Sequence, residues 1–188
     1  MRIAIIGWGA LIWDPRDLPR EGIWQDDGPD LRIEFSRISK DGRLTLVIDP
    51  SDGSPVRTKY VLSPRTSLDD AIEDLRSREG TSTRWIGWVN VVGGTSSNKD
   101  WRDQIHVHST IACWSKEKRF EGAVWTALLP NFKKELQKQF TINNALCYLK
   151  KLPENVRREA LRYIKNAPAC VQTRLREVVV KKFSGTRH

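Results

Sequence analysis

The apolar run Ile3-Ala4-Ile5-Ile6, closed by Gly7-Trp8-Gly9, constrains the fold most. It is too short for a helix and rich in β-branched residues, so it reads as a buried strand. Gly7 and Gly9 then break it. Glycine admits positive φ and lets another group approach the backbone closely. A strand that ends in Gly-x-Gly leaves backbone N–H groups outside the sheet. Those donors can form a nest for a carboxylate or a developing oxyanion.

The chain has 188 residues, enough to bury a real core within the size of one domain. At 39% apolar and 29% charged it falls outside the disordered and membrane classes. No apolar run nears the ~20 residues of a membrane span, so no membrane partner is expected. The N-terminus lacks a signal-peptide pattern, and Cys113, Cys147 and Cys170 show no CxxC spacing. A cytoplasmic protein with reduced, buried, inert thiols is the expectation.

Net charge is +9 and uneven. Residues 1–115 hold 15 Lys/Arg against 17 Asp/Glu, whereas residues 116–188 hold 17 against 6. A basic C-terminal surface of this kind suits an anionic partner, nucleic acid included, or simply a solvated helical face.

Along the chain, Arg16–Asp30 reads as a long loop with Trp24 tucked beneath it. Leu31–Ile38 alternates as a half-buried strand, Lys40-Asp41-Gly42-Arg43 makes a hairpin turn, and Leu44–Ile48 returns. Val56–Leu62 reads as a third strand. A helix then starts near Thr66 or Ser67. It carries Leu68, Ile72 and Leu75 on one face, with Glu79 continuing that face before Gly80. A carboxylate at the end of an apolar stripe is partly desolvated, which suits a general base. Thr83–Val92 and Phe120–Leu129 read as strands, with a polar loop over Gly93–Asp103.

Ile105–Trp114 also reads as a strand, which would put His106 and His108 on one face. Two imidazoles can share a metal, but no third ligand is nominated and no metal is expected. From Asn131 the pattern turns helical. Phe132, Leu136 and Phe140 repeat first, then a helix capped by Thr141 or Asn143 runs to Leu149, then another opens at Pro153. That last one turns Arg157, Arg158, Arg162 and Lys165 outward. Thr173–Phe183 fits a helix or a strand, and Gly185–His188 a frayed end.

Two of these stretches resemble a known family. Trp8-Gly9-Ala10-Leu11-Ile12-Trp13 is similar to the Tyr-Gly-Ser-Leu signature of the γ-glutamylcyclotransferase-like superfamily, above all its ChaC-type branch. Trp8 stands where the family has Tyr and Ala10 where it has Ser, so a hydroxyl is lost at each place. Leu75-Arg76-Ser77-Arg78-Glu79-Gly80 resembles the helix end that carries the family's catalytic glutamate, about seventy residues on. Trp85 takes the place of a family Tyr. The resemblance covers about residues 1–130.

The resemblance implies an α+β fold: a small mixed β-barrel with flanking helices. On this reading residues 1–130 form the γ-glutamylcyclotransferase-like domain and 131–188 a basic helical extension packed on it. It implies an enzyme of the transferase or lyase type that needs no cofactor. The α-amine of a γ-glutamyl peptide or amine attacks its own γ-carbonyl and releases 5-oxoproline. Glu79 is the implied general acid/base, and Gly7, Trp8, Gly9, Ala10, Leu11 and Trp85 the substrate-binding set. The alternative is a non-catalytic binding module that docks a polyanion on Arg157, Arg158, Arg162 and Lys165.

Overall fold

The structure is a computed structural model and describes residues 1–97 and 105–183. In chain order the elements are β1 (Ile3–Gly7), α1 (Ala10–Trp13), β2 (Glu21–Gln25), β3 (Asp30–Ile38), β4 (Leu44–Ile48), β5 (Ser54–Arg57), β6 (Lys59–Leu62) and α2 (Leu68–Glu79). After a 3-10 turn at Thr83–Trp85 come β7 (Ile86–Asn90), β8 (Thr95–Ser96), α3 (Ile105–Glu117) and β9 (Gly122–Thr126). Four helices follow: α4 (Phe132–Leu136), α5 (Ile142–Lys151), α6 (Glu154–Asn166) and α7 (Arg174–Phe183). The class is α+β. None of the described helices is long and apolar enough to cross a membrane.

The chain groups into two units. The first takes Met1–Leu31 and Arg57–Leu128; the second takes Arg32–Val56 and the chain from Leu129 onward. The hairpin after β3 thus belongs with the C-terminal helices.

The first unit holds a six-stranded sheet in the order β2-β6-β1-β9-β7-β8. β1 is central, antiparallel to β6 and parallel to β9. Both of its faces are buried, as an uninterrupted apolar strand requires. Ile3, Ile5 and Val124 share one face with Ala71, Ile72 and Leu75 of α2 in a single core. Full burial of an Ile or Leu side chain contributes roughly 1.5–3 kcal/mol. Ile6 pairs in register with Trp125, whose ring meets His108 of α3 edge-on, so α3 covers the opposite face. Gly87 permits this packing: a Cβ there would lie 2.2 Å from the Trp125 indole.

The second unit has a three-stranded sheet, β4-β3-β5, with α4–α7. Its core includes Ile33, Phe35, Leu44, Phe132, Leu149, Ile164 and Leu175. Among the described residues neither sheet closes into a barrel. Closure of the larger sheet would need β2 to pair with β8, but β2 is irregularly registered on β6 and β8 is a two-residue strand.

Several elements differ from the sequence reading. Ile105–Trp114 lies in a helix: Val107, Ile111 and Trp114 are buried at i, i+4 and i+7. His106 and His108 therefore point about 160° apart and share no face. Arg16–Asp30 contains the edge strand β2. Val56–Leu62 is two strands, because Thr58 turns to the 28–29 segment. Its Oγ1 donates to the Pro29 carbonyl at 2.7 Å, and its carbonyl accepts from the Gly28 amide at 3.0 Å. Thr173–Phe183 resolves as the helix α7. Cys113 and Cys147 are exposed free thiols and Cys170 is half-buried. They sit on or beside outward helix faces and not in the core. Residues 98–103 of the polar loop and the expected frayed end lie outside the described residues.

Candidate active site

Glu79 is the last residue of α2, and the sequence places it there through the C-cap. Gly80 adopts a left-handed conformation at φ +61°. The Gly80 amide donates to the Ser77 carbonyl at 3.1 Å and the Thr81 amide to Arg76 at 3.3 Å. These are the paired bonds of a Schellman motif. The Glu79 side chain is only 16% exposed. Its Oε1 accepts from Nη1 of Arg78 at 2.6 Å, and the Arg78 side chain is 6% exposed.

Arg78 also reaches the other motif. Its Nη2 donates to the carbonyl of Asp14, the residue that closes α1. Nη1 of Arg16 returns a bond to the Arg78 carbonyl at 3.2 Å. The end of α2 is thus tied to the chain that continues Gly7–Leu11. Nε of Arg78 is buried and has no hydrogen-bond partner among the described residues.

The Gly7–Leu11 segment leaves β1 and enters α1. Gly7 is needed for close approach: a Cβ would stand 3.0 Å from the Trp24 ring. Gly9 precedes α1 at φ −131°, so it does not use the left-handed region. The Ile12 amide bonds back to the Gly9 carbonyl at 2.9 Å, and the first amides of such a turn lack intrahelical acceptors. Ala10 is half-buried, while Trp8 and Leu11 are buried, Leu11 within the core of the first unit. Trp85 is half-buried in the 3-10 turn, with the Arg84 guanidinium 4.8 Å over its ring.

A cavity of about 530 Å³ opens on the neighbouring face of α2. Glu73, Arg84, Trp88 and Ser97 help to line it; Glu79 does not. His108 contacts Ser97, with Nε2 and Oγ 2.9 Å apart, and His106 is exposed. Among the described residues, no group of three or more His, Cys, Asp or Glu is placed to hold a metal.

The sequence pattern singles out Glu79 in this stretch and gives Arg78 no role of its own, so its bond to Asp14 was missed. The Arg-Glu pair at the helix end was the available signal; its reach to Asp14 depends on tertiary structure. In the second unit Arg158, Arg162 and Lys165 are exposed on α6, while Arg157 is half-buried and donates to the Lys150 carbonyl at 3.3 Å. No protein-family model, curated protein or solved structure matches this chain.

Proposed function

We propose that the first unit is a γ-glutamylcyclotransferase-like enzyme that cleaves a γ-glutamyl peptide or amine to 5-oxoproline. The observation that carries this reading is the pair of hydrogen bonds that Arg78 donates, one to Glu79 and one to the Asp14 carbonyl, which tie Glu79 to the chain that continues the Gly7–Leu11 segment. Glu79 removes a proton from the substrate α-ammonium. The freed amine attacks the γ-carbonyl carbon, and amides of the Gly7–Leu11 segment stabilise the oxyanion. As the tetrahedral intermediate collapses, the bond to the leaving nitrogen breaks and Glu79 returns the proton to that nitrogen. Arg78 orients the carboxylate through its bond to Oε1. Ala10 and Trp8 supply no hydroxyl, so the backbone carries the polar contacts of this segment. The small mixed barrel of the family belongs to the same proposal. The parallel β1–β9 pair within a mixed sheet supports it; pairing between the end strands is what it lacks.

The test is release of 5-oxoproline from a panel of γ-glutamyl peptides and amines, with Glu79→Gln alongside. Mutational loss of a general acid/base costs about 10²–10⁴-fold in rate. Turnover that persists in Glu79→Gln would remove Glu79 from the chemistry, and silence across the panel would count against the reading.

A second reading, a polyanion-binding module, is favoured by one observation. Arg158, Arg162 and Lys165 stand at i, i+4 and i+7 on the exposed face of α6.

A further inference from the structure

The second unit contains a cavity of about 500 Å³ that lies wholly within it and takes no part in the proposed chemistry. Two carboxylates line it, Asp49 and Asp52, from the turn between β4 and β5. Lys133 and Lys134 of α4 line it as well. None of the four forms a salt bridge among the described residues. The turn fixes Asp49, whose Oδ1 accepts from the amides of Ser51 at 3.1 Å and Asp52 at 3.0 Å. Phe140 adds an apolar wall, held edge-on to Phe132 at 5.3 Å.

Ser36 lines the same cavity. It is fully buried, and its Oγ has no hydrogen-bond partner among the described residues. Buried hydroxyls are very seldom left unsatisfied in a native protein, and a water or a polar group of a ligand at the base of the cavity would meet this one.

The charges select that ligand. A simple anion drawn to the lysines meets two carboxylates, and a simple cation drawn to the carboxylates meets two lysines. A molecule that carries both signs satisfies both pairs. We propose that this cavity binds an α-amino acid or short peptide in its zwitterionic form. The ammonium faces Asp49 and Asp52, the carboxylate faces Lys133 and Lys134, and Ser36 bonds a polar group between them. Burial and the nearby Asp49 charge push the Asp52 carboxyl up, opposed in part by Arg174. An ammonium group beside Asp52 offsets this rise, because a neighbouring cation favours the charged carboxylate.

The test is calorimetric titration of the whole chain with free amino acids and dipeptides. Each ligand is run beside its N-acetylated and C-amidated forms. Ser36→Ala, Asp52→Asn and Lys134→Ala are measured in parallel, with circular dichroism and thermal midpoints to show that each variant is folded. Blocking either end of the ligand should weaken binding about tenfold or more, the cost of a lost charge-assisted bond. Asp52→Asn should weaken the free ligand yet leave the N-acetylated form unchanged, since both changes remove the same contact. Glu79→Gln should leave the binding untouched, which separates this site from the γ-glutamyl chemistry. Failure of every zwitterion to bind would overturn the proposal. Equal binding of blocked and free ligands, or binding that survives Lys134→Ala and Asp52→Asn undiminished, would overturn it too.

Discussion

Glu34 sits on β3 with no exposed surface, and its Oε1 accepts from the Phe35 amide at 2.8 Å. Burial pushes its carboxyl above the ordinary value of 4.5, and the charge of Asp49 adds to the rise. The Thr173 hydroxyl and the amides of Phe35 and Leu175 act in the opposite direction. The native state therefore holds this proton more tightly than the unfolded chain. The group's contribution is most favourable below about pH 4.5 and is lost as pH rises through the folded value. Glu34→Gln keeps an oxygen acceptor for Phe35 and removes the titration. Urea midpoints across a pH series should show wild type losing stability relative to Glu34→Gln as pH climbs from about 4.5. Parallel curves for the two proteins would mean that Glu34 ionises as easily when folded as when unfolded.

At the scale of the element, α2 shows how far local sequence reaches. The stripe Leu68, Ile72, Leu75 and the stop at Gly80 specify its face and its end, and the helix ends at Glu79 as that pattern requires. Gly80 holds a left-handed backbone with open space around a notional Cβ. Gly80→Ala should therefore cost only the backbone strain, about 1–2 kcal/mol, read as a lower urea midpoint. A wild-type midpoint would mean that the chain end had found another cap.

β1, β4 and the Asp41-Gly42 hairpin were equally legible, because each depends on a run or a turn within a few residues. α3 was not. Its sequence offers both an alternating pattern and the 107, 111, 114 spacing, and only packing against the Trp125 face chooses between them. The break at Thr58 needs a partner about thirty residues earlier in the chain, and β2 is an exposed edge with little apolar pattern. In the candidate site the positions of Glu79 and Gly7–Leu11 on their elements were readable. The Arg78 bridge between them was not, nor was the cavity beside Ser36, since both join residues far apart in sequence.

At the scale of the whole molecule, charge is sorted by unit. Residues 129–188 carry 14 Lys/Arg against 4 Asp/Glu, while segment 32–56 carries 4 of each, so the second unit holds the excess. The α6 face concentrates part of it, with different degrees of freedom at each position. Arg158 is exposed, Arg162 pairs with Glu159, and the Lys165 Nζ donates to the Phe183 carbonyl at 3.3 Å. An exposed ion pair holds its partner weakly, by about 0–1 kcal/mol, so a phosphate can displace Glu159 from Arg162. Arg157 is different, since its bond to the Lys150 carbonyl spans from α6 to α5, and its loss would disturb packing as well as charge. If this face docks nucleic acid, the logarithm of the affinity for a duplex should fall linearly with log salt, by about 0.9 in slope per phosphate contacted. Arg158→Gln with Arg162→Gln should then reduce the slope by about two such contacts and leave the thermal midpoint near wild type. An unchanged slope would free α6 from this role and leave its charge as a solvated surface. A slope that changes only with Arg157→Gln, together with a lowered midpoint, would trace the loss to helix packing.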